Sequence, residues 1–278
     1  MDANRQQVVL ITGASSGIGK ACAQVLHQKG RRVYGTSRYA PEQPATPAQP
    51  TSFNLIRMDV TSDESVEEGV KWVLAREGRL DVVVNCAGYG LAGSVEDTQI
   101  DEARAQLETN FLGLVRVCHA VLPIMRQQGS GYLINISSMA GLIGIPFQGF
   151  YSASKFAVEG LTEALRLEVK PYGIRVVLIE PGDFQTGFTA NRCKTRSAQG
   201  ETAYSERFAK ALAVMEADET HGPPPEQVGY LVERIITTPS PKLRYTVGPV
   251  SEKVAVALKK VLPAGWFEWG LMKYYHLL

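Results

Sequence analysis

The residues of this chain that could do chemistry form a small set. Tyr151-Ser152-Ala153-Ser154-Lys155 opens a stretch of helical pattern. Residues four apart share a helix face, so Tyr151 and Lys155 can point into one site. A phenol has a reference pKa of about 10. To act as an acid or base near neutral pH it has to be poised lower, and a nearby ammonium favours the phenolate. A shift of about two units corresponds to about 2.7 kcal/mol, much of which one partly buried cation can supply. Ser138 precedes Tyr151 by thirteen residues and follows an apolar run, Gly131–Ile136. Its hydroxyl can hydrogen-bond a substrate carbonyl and keep Tyr151 in line. A Tyr-x-x-x-Lys spacing alone is common by chance. The set with Ser138 is what points to proton transfer at a carbonyl or carbinol oxygen.

A second cluster lies near the start. Thr12-Gly13-Ala14-Ser15-Ser16-Gly17-Ile18-Gly19 sits between an apolar run and a helical pattern. Glycines there let backbone approach a pyrophosphate, and the helix start adds N–H groups and positive dipole. A tight turn without a ligand would use similar residues. The spacing departs from the common G-x-G-x-x-G, and Lys20 is not placed as a P-loop lysine. About 20 residues further on, an acidic residue would bind a ribose 2′-hydroxyl. The chain has Thr36-Ser37-Arg38 instead. Arg38 can fork onto a 2′-phosphate and Ser37 can donate to it, which favours NADP(H) over NAD. A solvated loop arginine is the plainer alternative.

These residues need elements to position them. Short apolar runs at Val8–Ile11, Arg32–Thr36, Phe53–Met58, Leu80–Val84, Gly131–Ile136, Ile174–Ile179 and Arg244–Val247 read as strands. Helical patterns lie between them, at about Gly17–Gln28, Ser62–Arg76, Asp101–Gln127 and Ser152–Lys170. Alternation of this kind predicts an α/β fold: a doubly wound, parallel seven-stranded sheet (Rossmann fold) with helices on both faces. Tyr39–Pro50, with prolines at 41, 44, 47 and 50, reads as a surface loop, a docking PxxP being the lesser alternative.

Composition narrows the function classes. The 278 residues carry 29 basic and 28 acidic side chains, so no net field draws in nucleic acid or an anionic membrane. A 45% hydrophobic, 21% charged chain is globular in composition. The apolar runs fall short of the roughly 20 residues of a membrane span. The start does not read as a secretory signal, and the four cysteines make no CxxC pair, which predicts a reduced, cytoplasmic protein without a metal site.

Taken together the motifs resemble those of the short-chain dehydrogenase/reductase family, in its single-domain branch. The stretches are TGASSGIG at 12–19, Asp59-Val60, NCAG at 85–88, Asn110, Ser138, YSASK at 151–155, and Pro181-Gly182 followed by Thr186. The resemblance implies roles. Tyr151 is the acid/base, Lys155 holds the nicotinamide ribose and lowers the tyrosine pKa, and Ser138 polarises the carbonyl. Asn110 keeps a water in a proton relay through Lys155. Gly13, Ser15, Ser16, Gly17, Ile18 and Gly19 line the cofactor phosphates and ribose. Asp59 and Val60 contact the adenine, while Asn85, Ala87 and Gly88 pack beside the adenosine. Pro181, Gly182 and Thr186 enclose the nicotinamide. Cys86 stands where the family more often has a second asparagine. Relatives pair the helices at 101–127 and 152–170 across subunits, which implies a homodimer or homotetramer.

The last third of the chain is where substrate choice resides. Residues 187–222 read as a substrate lid, with Phe188, Tyr204, Phe208, Leu212 and Met215. With the apolar loop 141–147 they suggest a lipophilic substrate, although core packing explains them equally well. Glu180–Phe188 is similar to the hydroxysteroid and retinol dehydrogenase-like branch. The aromatic tail, 251–278, is expected to pack on the body of a single 1–278 domain. Gating the site and lying on a membrane surface are its other readings. The sequence therefore predicts an NADP(H)-dependent oxidoreductase acting on a carbonyl or secondary alcohol. A 3-oxoacyl-carrier reductase and a non-catalytic dinucleotide-sensing regulator are the alternatives.

Overall fold

The structure, a computed structural model, describes residues 6–40 and 52–278, apart from the side chains of Thr189 and Ala190. Most of the proline-bearing segment, with Pro41, Pro44, Pro47 and Pro50, lies outside the described residues. In chain order the elements are β1 (Val8–Ile11), α1 (Gly17–Gln28), β2 (Arg32–Ser37), β3 (Asn54–Arg57), α2 (Asp63–Glu77), β4 (Val82–Asn85) and β5 (Leu91–Ala92). Then come α3 (Ile100–Leu107), α4 (Gly113–Gln128), β6 (Gly131–Ile136), α5 (Gly149–Val169), β7 (Ile174–Pro181), α6 (Phe188–Asn191) and β8 (Cys193–Lys194). The chain closes with α7 (Ser205–Thr220), α8 (Glu226–Ile236), β9 (Arg244–Val247), α9 (Val250–Val261) and α10 (Ala264–Tyr274).

Seven strands pair in the order β3-β2-β1-β4-β6-β7-β9, and every pairing is parallel. This is the doubly wound sheet the alternation predicts. The runs VVLI of β1 and VVVN of β4 are buried along their whole length, because helices cover both faces. One face holds a core of Leu10, Val83, Val117, Val121 and Leu133 under α2, α4 and α5. The other holds Ile11, Val84, Leu26, Val232 and Ile235 under α1 and α8. Strand order reverses between β1 and β4, so a crevice opens at their carboxyl ends. The Thr12-Gly13 turn and Cys86-Ala87-Gly88 leave the sheet there.

Local chemistry explains several boundaries. Ser62 caps α2 by accepting from the Ser65 N–H, and Asp63 and Glu64 complement the helix start. Gly78, Gly129 and Gly173 close the segments ending at Glu77, Gln128 and Tyr172, each with φ between 65° and 71°. The single helix expected at 101–127 is instead α3 and α4 joined by a π-helical turn, Glu108–Leu112, which contains Asn110. By length and composition the stretch 100–128 is apolar enough to cross a membrane. Its Leu114, Val117, Val121 and Met125 are buried in the sheet core, and Arg116 pairs with Asp63 and Glu108. It is a core helix.

The far end wraps over the crevice. β5 and β8 form a second, two-stranded parallel sheet that pins the segment after α6 to the loop after β4. Phe208 and Leu212 of α7 pack with Ala92 and Phe147. The aromatic tail packs on the body, as expected. Val256, Phe267 and Leu271 close over Met139 and Ile143, and Tyr275 packs with Ala211 and Met215. Lys259 donates to the Leu142 carbonyl. The tail's Val254, Leu258, Val261, Trp266 and Trp269 remain exposed.

Candidate active site

At the crevice, backbone geometry prepares a place for an anion. Gly13 and Gly17 take φ of 68° and 54°, values L side chains rarely adopt. A Cβ on Gly13 would stand 2.7 Å from Ala87 Cα, and one on Gly19 2.4 Å from the Gly13 carbonyl oxygen. The Thr12 hydroxyl accepts from the N–H groups of Cys86 and Ala87, both at 3.0 Å, and so ties the two turns together. Ser16 caps α1 without a side-chain hydrogen bond, and no acidic residue occupies the first turn. The free N–H groups and positive end of α1 are therefore left for an anion. Ser15 and Ser16 are exposed beside them, and Ile18 is half-buried. A dinucleotide pyrophosphate fits this cradle.

The flanking candidates divide. Arg38 is exposed, stacks on Tyr39 at 4.7 Å, and makes no ion pair among the described residues. The Ser37 hydroxyl accepts from the Tyr39 N–H at 3.3 Å, which leaves its proton free to donate. The Asp59 carboxylate accepts from the N–H and hydroxyl of Thr61, and Val60 is buried against Gly113. Thr186 faces Gly17 across the crevice, its Cβ 3.8 Å from where a Cβ on Gly17 would be. Pro181 ends β7, and the Gly182 N–H donates to Val247. Asn85 is tied into the sheet. Its side chain donates to Asn135 at 2.9 Å, and Asn135 donates in turn to Thr162. Asn85 braces β4 against β6 and, through Asn135, α5.

The four catalytic candidates converge at the carboxyl ends of β4 and β6. Tyr151 lies in the first turn of α5, buried. The Ser138 side chain, which accepts from the Ala140 N–H at 3.1 Å, lies near enough to this phenol to favour its ionised form. Lys155, one turn on, stands with Nζ 5.8 Å from the Tyr151 ring centre and donates to the Ile136 carbonyl at 3.0 Å. Asn110 accepts from the Tyr89 N–H and donates to the Tyr89 carbonyl, both at 3.0 Å, and donates to Ser154 at 3.2 Å. Ser154 in turn donates to the Tyr151 carbonyl. The Asn110 side chain is thus committed within the fold, which leaves only its main chain for a water relay. A π turn at such a position is a recurring feature of functional sites.

Electrostatics depart from one expectation. Burial pushes the Tyr151 phenol up to about 12, and Ser138 is the first influence opposing it. Burial also pulls Lys155 down to about 8, against Cys86 and Glu159. The Lys155 ammonium is bonded to the Ile136 carbonyl, and the influences that oppose burial at the phenol are Ser138 and Arg192. Phe188 of α6 covers Tyr151, with ring centres 5.8 Å apart. Behind Phe188 stand Arg192, Asp183, Glu219 and Glu252, a charged group that no motif announced. Its members are distant in sequence, so only the position of Asp183 just after Pro181-Gly182 was a signal.

Residues 7–197 match the family of short chain dehydrogenases. This chain belongs to that family. It is 42% identical to the 3-ketodihydrosphingosine reductase of Bacteroides thetaiotaomicron, over 97% of this chain and 98% of that one. A solved short-chain dehydrogenase from Streptomyces avermitilis superposes with a TM-score of 0.80 at 33% identity, covering 98% of both chains. A Burkholderia phymatum family structure in complex with NAD superposes with a TM-score of 0.80 at 23% identity over 94% of this chain and 95% of that one, a likeness of fold. The chain is thus an oxidoreductase of a fold that binds a nicotinamide dinucleotide.

Proposed function

We propose that this protein is an NADPH-dependent carbonyl reductase acting on a lipophilic ketone. The observation that carries the reading is Tyr151: a buried phenol near Ser138, kept protonated by burial and capped by an aromatic side chain. A protonated phenol is the form that donates, so the site is poised to reduce. Ser138 and Tyr151 receive the carbonyl oxygen of the substrate. Tyr151 gives the oxygen its proton as negative charge develops there. Lys155 bonds the nicotinamide ribose and, as its partner, replaces the proton through the Asn110 main chain and water. Bound NADPH supplies the hydride. The cradle holds its phosphates, while Pro181, Gly182 and Thr186 enclose the ring.

Arg38, without an ion-pair partner among the described residues, supports NADPH over NAD: a 2′-phosphate gives the guanidinium a forked, charge-assisted partner. The substrate class rests on residues 187–222 acting as a lid, on apolar Phe188 and Phe147, and on the relative named for 3-ketodihydrosphingosine, a long-chain amino ketone. Steroid and retinoid ketones are the natural competitors for such a pocket. The exposed Leu112, Phe156 and Leu167 on α4 and α5 and the turn before them support a homodimer or homotetramer built on those helices. Four free cysteines accord with a cytoplasmic setting.

The test is turnover of graded ketones with each reduced nicotinamide, followed by absorbance. Tyr151→Phe is expected to lower kcat by at least about 10³-fold while NADPH binding, read by fluorescence, persists. Retained turnover in that variant rejects the reading. The 3-oxoacyl-carrier alternative requires oxoacyl thioesters to outperform free ketones.

A further inference from the structure

The charged group behind Phe188 is not needed to hold the dinucleotide or to move the proton, yet it is buried. Arg192 has a side chain only 1% exposed, and one of its nitrogens pairs with Glu219. Its Nε and Nη1 are buried without a hydrogen-bond partner. The guanidinium stands 5.7 Å from the Phe188 ring, whose centre is 5.8 Å from that of Tyr151. Two strong donors are therefore left open next to the ring that covers the Tyr151 phenol. A desolvated guanidinium that is half satisfied is costly, and proteins keep such groups where a ligand completes them.

Asp183 complements it. Its N–H donates to Glu252 at 3.1 Å, and among the described residues no donor is bonded to its carboxylate. Glu252, Glu219 and Asp218 all act on it with like charge, and Arg192 is the cation that opposes them. Asp183 and Glu219 also act on the Tyr151 phenol. Asp183 thus sits among three other carboxyl groups, and two of the four, Asp183 and Glu219, also reach the phenol. Such crowding favours the protonated carboxyl, and a cation delivered with the ligand would stabilise the carboxylate instead.

We propose that Asp183 and Arg192 form a headgroup subsite that selects a ketone with a protonated amine on the carbon next to the carbonyl. Asp183 takes the ammonium, and the open nitrogens of Arg192 donate to a neighbouring hydroxyl oxygen. This deepens the carbonyl-reductase reading and rests on it. The subsite accounts for how a site lined by Phe188 and Phe147 tells a polar-headed amphiphile from a plain lipid ketone. A site built to bond a polar group discriminates strongly against analogues that lack it, because its own buried groups are then left unpaired.

The experiment compares three water-soluble ketones with NADPH: a short-chain 2-amino-1-hydroxy-3-ketone, its counterpart without the amine, and its counterpart without the hydroxyl. The wild type is expected to prefer the amino ketone over the amine-free one by about 100-fold in kcat/KM, mostly through KM. Asp183→Asn should collapse that ratio to below about fivefold, and Arg192→Met should erase the preference for the hydroxyl. Thermal melts and NADPH binding establish that each variant is folded. A wild-type ratio near one, or a ratio that survives Asp183→Asn, overturns the subsite while leaving a ketone reductase. If no ketone is turned over, the reductase reading falls. The subsite is then decided by calorimetric titration of the matching 2-amino-1,3-diol against its amine-free form: amine-dependent binding lost in Asp183→Asn sustains it, and equal binding overturns it.

Discussion

The ring of Phe188 lies tilted at 56° against that of Tyr151, with centres 5.8 Å apart, and so covers this phenol. Desolvation is the first cause of the raised Tyr151 pKa, so this contact ties the lid to the acid strength of the catalytic group. Phe188→Ala opens the phenol to water. Its pKa should move from about 12 back toward the ordinary value of about 10. The alkaline limb of kcat/KM in the reduction direction should then move down by about one unit, and KM should rise about tenfold for an apolar ketone. A pH profile of the variant checks both.

Lys155 is held at a cost. Its folded pKa, about 8, lies below the 10.5 of a free lysine. As pH falls through that window the unfolded chain takes up its proton first, so stability declines, and below about pH 8 the full penalty of about 3 kcal/mol remains. Lys155→Met removes the penalty and loses one bond to Ile136. The variant is expected to melt about 2–4 °C higher at pH 7 while losing at least about 100-fold in kcat. A calorimetric melt that drops instead rejects this account.

Asp183 and Glu252 shift the other way. Burial raises them to about 8 and about 7, with repulsion from Glu252 adding at Asp183 and repulsion from Asp218 adding at Glu252. A folded pKa above the unfolded one gives stability that is complete below about pH 4 and is lost as pH rises through the folded value. The protein is therefore expected to melt lower at pH 8.5 than at pH 5.5. Asp183→Asn should flatten that slope, and equal slopes in the two proteins refute the assignment.

Arg38→Ala tests the 2′-phosphate. A forked, charge-assisted contact is worth about 1.5–3 kcal/mol, so KM for NADPH should rise about 10- to 100-fold with little change for NADH. Equal losses with both cofactors mean that Arg38 does not read the phosphate.

How much of this was written in the chain follows from the range of each interaction. The strands of VVLI and VVVN type, the glycine turn before α1 and the Tyr151–Lys155 pair are local patterns, and all fall where the sequence places them. β5 and β8 escape notice because two residues have no periodicity to read. The π turn at Asn110 escapes for a related reason: one shifted hydrogen bond leaves the apolar pattern of 101–127 intact.

The sequence by itself determined the family and the sheet and singled out the candidate reacting groups, because those depend on residue type at short spacing. Tertiary structure decided what those groups experience. It turned Asn85 inward to Asn135, aimed Lys155 at Ile136, and laid the aromatic tail over Met139 and Ile143. It also brought Asp183, Arg192, Glu219 and Glu252 together beside Tyr151. Desolvation and unpaired charge arise only when distant segments exclude water together, and no spacing along the chain encodes that directly.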